Sequence, residues 1–78
     1  MAHVRFYAAA RAATGVTQSD VNGQTLRELL ENLRRIFPEL GKVLPGCSFL
    51  LNGIACKELS SPIETSDQID VLPRFAGG

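Results

Sequence analysis

Few of the 78 residues have side chains or termini that could do chemistry, and the most suggestive of them stand at the end. The sequence stops on Gly77-Gly78. A terminal α-carboxylate is an anion at neutral pH and resists nucleophiles, so it becomes transferable only after another protein activates it. Two glycines suit that use, because a chain without Cβ atoms threads a narrow cleft and accepts φ values closed to other residues. The same ending is also what a frayed terminus looks like, so the tail alone leaves both readings open. The remaining candidates are weaker. Cys47 and Cys56 have eight residues between them, which matches no metal-ligand spacing, and they read as small buried or half-buried hydrophobes. His3 is the only histidine and falls on the polar side of a strand, where a solvated role is expected. No acid, base or nucleophile is arranged around a substrate. The chain is therefore not expected to be a catalyst alone, and if the tail is used, Gly78 is its working end.

Composition bounds the rest. Seventy-eight residues make one domain, near the lower size at which an apolar core suffices without staples. With 45% hydrophobic and 21% charged residues the chain is expected to fold as a globule over 1–78, with a flexible tail at 74–78. Eight basic residues balance eight acidic ones, which argues against nucleic acid and against an anionic membrane as partners. No apolar run approaches the ~20 residues of a membrane span, and no signal-peptide pattern opens the chain, so a cytoplasmic location is expected. In that reducing compartment a disulfide is not expected.

The elements that must position the tail follow from periodicity. Residues His3 to Ala8 alternate, with Val4 and Phe6 inward and Arg5 and Tyr7 outward, as in a half-buried strand. Ala9 to Ala13 favours helix but is short, which predicts a loose helical turn or a bend before Gly15. Thr17 to Val21 predicts a second strand, antiparallel to the first. Thr25 stands three residues before Glu28 as a capping box, and Leu26, Leu29, Leu30, Leu33 and Ile36 or Phe37 form one apolar stripe. Pro38 ends that helix. A connector through Gly46 tucks in Leu40 or Val43, Ser48 to Asn52 reads as a strand, and Asn52-Gly53 turns it into Ile54 to Cys56. Pro62 to Asp67 lodges Ile63 in the core, and Gln68 to Pro73 closes the fold with Ile69 and Val71 inward. The class is α+β, a mixed sheet covered by one amphipathic helix.

These segments carry a resemblance over nearly the whole chain. Val4-Arg5-Phe6-Tyr7-Ala8 followed by Arg11 and Gly15, the helix start Thr25-Leu26-Arg27-Glu28-Leu29-Leu30, Leu51-Asn52-Gly53, Asp67-Gln68-Ile69, and the stretch from Pro73 to Gly77-Gly78 together resemble the ubiquitin-like β-grasp sulfur carriers. Within that group the chain most resembles the molybdopterin synthase small-subunit family. The resemblance implies that a ubiquitin-activating-like adenylyltransferase uses ATP to adenylate the Gly78 carboxylate, and that sulfur then displaces AMP to leave a thiocarboxylate. It further implies that the molybdopterin synthase large subunit accepts the tail and directs the sulfur into the dithiolene of the molybdenum cofactor precursor. No cofactor is expected to be bound by this chain itself. Two positions depart from the pattern: Arg74 stands where many members have a second proline, and Ser66-Asp67 where a Gly-Asp turn is usual. Carriers serving thiamine thiazole or cysteine synthesis share the same tail chemistry, a ubiquitin-like modifier would end in an isopeptide bond, and a plain β-grasp binding module would leave the tail incidental.

A sheet with one covering helix has one face left open. Alternation puts Tyr7, Leu50 and Leu72 on it, just upstream of the tail residues Arg74, Phe75, Ala76 and Gly77, and predicts a docking patch there, with Asp70 turned outward beside it. Burial of Phe75 would anchor the tail by about 2 to 3 kcal/mol.

Overall fold

The computed structural model describes residues 1–74, so the expected tail beyond Arg74 lies outside the described residues. Five strands form one sheet in the order β2-β1-β5-β3-β4. β1 (Ala2–Phe6) pairs antiparallel with β2 (Gln18–Val21) and parallel with β5 (Gln68–Pro73). β5 runs antiparallel to β3 (Cys47–Leu51), which turns back into β4 (Ile54–Ala55). The first and last strands thus lie side by side at the centre of a mixed sheet. A parallel pair needs a long crossover, and here most of the chain supplies it.

Local sequence accounts for each element. In β1 the alternation is obeyed: Ala2, Val4 and Phe6 are buried, while His3 and Arg5 are not. At Asn52-Gly53 both residues have positive φ, 51° and 83°, the pair of left-handed conformations a two-residue hairpin turn demands. Helix α2 (Leu26–Ile36) starts at Thr25, whose hydroxyl accepts the Glu28 N–H at 3.2 Å. The Glu28 carboxylate accepts the N–H of Gln24, one residue beyond the N-cap N–H that takes the reciprocal bond of a standard capping box. Two further N–H groups of its first turn are satisfied from afar, Leu26 by the Ser61 carbonyl and Arg27 by that of Leu59. Leu26, Leu29, Leu30 and Leu33 are buried against the sheet with Val4, Phe6, Ile69 and Val71. Ile63 is lodged in the core as expected.

The structure decides three points that the periodicity left open or read differently. Ala8–Thr14 is a complete helix, α1, ended by Gly15 at φ 75°, whose N–H bonds the Arg11 carbonyl. Its persistence comes from tertiary contact, because Ala10 is fully buried, which local propensity could not reveal. The covering layer therefore has two helices. At the end of α2 it is Phe37 that turns inward, its ring edge-on to Phe6 at 5.6 Å, whereas Ile36 is exposed. In the connector, two 3-10 turns (Pro38–Lys42 and Leu44–Gly46) bury both Leu40 and Leu44, with Val43 half-buried between them. Among the described residues, no helix is long and apolar enough to cross a membrane.

Candidate functional site

The site is the end of β5 together with the sheet face turned away from the helices. β5 is bonded on both sides until β1 gives out at the Phe6–Val71 pair. Beyond that point β3 alone holds it: Pro73 lies opposite Cys47, and the Arg74 N–H donates to the Gly46 carbonyl at 3.0 Å. The ladder to β3 alternates, so the missing N–H of Pro73 falls where no bond to β3 is due. The chain is thus held in strand geometry up to exposed Arg74 at one end of the sheet. Phe75, Ala76, Gly77 and Gly78 lie outside the described residues.

Across the open face the register sets Arg5 opposite Asp70 and Asp70 opposite Leu50, with Ser48 opposite Leu72. Asp70 corrects the expectation that it faces water: it is buried, with 6% exposure. Arg5 lies over it, Nε donating to Oδ1 at 2.8 Å and Nη2 to Oδ2 at 3.2 Å, which satisfies both carboxylate oxygens. The same guanidinium sits 5.9 Å from the centroid of the Tyr7 ring. Tyr7 has left the strand, because β1 ends at Phe6 and Tyr7 caps α1, and it is exposed. Leu50 and Leu72 are half-buried on this face. Tyr7, Leu50 and Leu72 therefore share one surface, but a bidentate ion pair occupies its middle where a continuous apolar patch was expected.

A second network fixes where β5 begins. Asn52 in the hairpin turn donates its amide to Asp67 Oδ1 at 2.9 Å and accepts the Gln68 N–H at 2.9 Å, while Asp67 Oδ2 accepts the Glu64 N–H at 2.7 Å. The Glu64 backbone bond first, and then the Asn52 amide, hold the Asp67 carboxyl below the usual aspartate range. This explains why Asn52-Gly53 and Asp67-Gln68 stand out together in the sequence: they are one joint.

The cysteines are free, and both are half-buried. Cys47 Sγ donates to the Val43 carbonyl at 3.3 Å and burial pushes its thiol pKa up, which makes it a poor nucleophile. Cys56 Sγ lies 3.3 Å from the Ser61 hydroxyl. His3 bonds Asp20 at 2.9 Å and Gln18 at 3.1 Å on the β2 side of the open face, and the Asp20 bond raises its pKa. Among the described residues no group of three or more His, Cys, Asp or Glu is placed to hold a metal ion.

The ThiS family model matches residues 4–78. The chain belongs to the ThiS family. It is thereby placed among the ubiquitin-like β-grasp sulfur carriers, in agreement with its sheet order and covering helices. No curated protein sequence matches it. Among solved structures, small archaeal modifier protein 1 of Methanosarcina acetivorans superposes with a TM-score of 0.89 at 23% identity, covering 99% of this chain and 95% of that one. A chain of the complex of subunits 1 and 2 of the molybdopterin-converting factor from Helicobacter pylori is 25% identical, with a TM-score of 0.74 and coverage of 99% and 97%. A chain of the BexX/CysO complex of Amycolatopsis orientalis matches over 100% of both chains at 18% identity, with a TM-score of 0.85. The likenesses at 23 and 18% show the fold alone.

Sequence reasoning missed the Arg5–Asp70 pair. Alternation places both residues on the open face, but their meeting depends on the parallel β1–β5 pairing, a contact between opposite ends of the chain.

Proposed function

We propose that this protein is the sulfur-carrying small subunit of a molybdopterin synthase. A ubiquitin-activating-like adenylyltransferase adenylates the Gly78 carboxylate with ATP, and sulfur displaces AMP to give a C-terminal thiocarboxylate. The large synthase subunit then receives the tail, and the sulfur enters the dithiolene of the cofactor precursor. Adenylation turns an inert carboxylate into a mixed anhydride with a good leaving group, and so splits one difficult exchange into two easier steps. The observation that carries this reading is the family match running through residue 78, on a chain whose last strand is hydrogen-bonded to β3 as far as Arg74. Four residues beyond Arg74 reach at most about 14 Å when extended, far enough to enter a partner's cleft while the body of the sheet stays outside it. The Helicobacter pylori complex of subunits 1 and 2 supports a large-subunit partner.

The test is intact mass spectrometry after incubation with an adenylyltransferase of this class, ATP and a sulfur donor. The expected product is heavier by the exchange of one oxygen for one sulfur. A chain lacking Gly78 should show no such gain, and sulfur uptake by that truncated chain would overturn the proposal. Transfer of the sulfur to a molybdopterin precursor by the large subunit, rather than to a thiazole or cysteine precursor, distinguishes this role from those of the other carriers.

A further inference from the structure

The sheet has an open stretch of edge that the sulfur chemistry does not use. β4 is only two residues long and pairs with Leu50 and Leu51 alone. One bond continues the hairpin, from the Cys56 N–H to the Phe49 carbonyl at 2.9 Å, and the chain then departs to the start of α2, where the Leu59 carbonyl meets the Arg27 N–H. The first half of β3 is left without a neighbour on that side. Bonds to β5 fall at Gly46–Arg74 and Asn52–Gln68, so in an alternating antiparallel ladder the N–H of Phe49 and the carbonyl of Cys47 point the other way, toward the open edge. Among the described residues neither group has a backbone partner.

Beside this edge runs a groove of about 390 Å³, lined by Cys47, Phe49, Cys56 and Leu59 and bordered by Lys57 and Arg74. Among the described residues the groove is lined by two cations and no carboxylate, and neither cation is in an ion pair. The acidic residue next in sequence, Glu58, lines the adjoining cleft instead. Leu50 belongs both to this groove and to the open face, so the two surfaces are continuous.

We propose that the β3 edge binds an extended segment of a partner protein as an added strand, and that the segment alternates apolar with acidic residues. One residue lying opposite Ser48 in a parallel strand would donate to the Cys47 carbonyl and accept from the Phe49 N–H, completing both groups. Its apolar neighbours fill the groove over Cys56 and Leu59, and its carboxylates meet Lys57 and Arg74.

The experiment is a ¹H–¹⁵N NMR titration of the full chain with acetyl-Glu-Val-Asp-Val-Glu-amide, with the lysine-for-acid counterpart as control. The expected result is that the acidic probe shifts the amides of Cys47 to Leu50 and Lys57 to Leu59 while β2 stays still. Methylating the amide nitrogen of its central residue should abolish the effect. Lys57→Glu with Arg74→Glu should weaken binding by about tenfold while leaving the remaining spectrum in place. No shift, or an equal response to the basic peptide, overturns the proposal. Tighter probe binding by a chain ending at Arg74 would assign the groove to the chain's own tail, and concentration-dependent shifts without peptide would assign it to a second copy; either result also overturns it. No step of this test involves sulfur, so its failure leaves the proposed carrier function untouched.

Discussion

The Arg5–Asp70 pair is the residue-scale feature with the largest consequence, because it buries a carboxylate near the centre of a face otherwise suited to docking. Removing one partner of such a pair strands the other, whereas replacing both with apolar groups can be neutral or better. Arg5→Leu alone should therefore lower the urea midpoint, and Arg5→Leu with Asp70→Leu should recover most of the loss. A double variant no more stable than the single one would show that the pair contributes through packing of the arginine stem instead. His3 provides a pH-dependent counterpart. Its pKa is raised in the folded chain by the hydrogen bond to Asp20, so folding favours the protonated imidazole. That contribution is complete below the unfolded value of about 6.5 and is lost as pH rises through the folded pKa. An NMR titration should give a His3 midpoint above 6.5, and Asp20→Asn should move it down.

At the scale of elements, the approach of β2 to α2 depends on Gly23. A Cβ placed there would lie 2.7 Å from both the N and Cα atoms of Leu29, which are helix backbone and cannot rotate away. Gly23→Ala should cost about 1–3 kcal/mol in chemical denaturation, as overpacked sites do, although alanine adds only one methyl group. The start of α2 is supported less locally than its Thr25 cap implies, since the carbonyls of Leu59 and Ser61 satisfy two of its N–H groups. The loop that leaves the β3 edge open is thus the same one that closes this helix end. Lengthening β4 at the expense of that loop would remove helix capping.

For the whole molecule, the parallel β1–β5 pairing at the sheet centre sets the first and last strands side by side and brings β5 out to Arg74 at the sheet's margin. Two surfaces adjoin the tail's origin, the open face with Tyr7, Leu50 and Leu72, and the groove along β3. Leu72→Asp adds charge on the first without entering the core, because Leu72 is half-buried on the side away from the helices. Calorimetric titration with the large synthase subunit should show affinity reduced by about tenfold, with thermal unfolding close to that of the parent chain. Unchanged affinity would remove the open face from the docking surface.

The local features are legible in the sequence itself, since each is decided within a few residues of chain. The Thr25 cap, the leucine stripe of α2, the left-handed pair Asn52-Gly53 and the alternation of Val4 with Phe6 all follow from backbone sterics and from which side chains leave water. The resemblance of the ordered motifs to β-grasp carriers was legible for the same reason, because turns and caps recur at set spacings. Tertiary structure alone decided which of Ile36 and Phe37 turns inward, that Ala8–Thr14 holds as a helix, and that Asp70 lies beneath Arg5. It also decided that β4 stops after two residues and leaves the Phe49 N–H and the Cys47 carbonyl at an open edge beside Arg74. Each of these depends on pairing between segments far apart in the chain, whose partners and register no local period records.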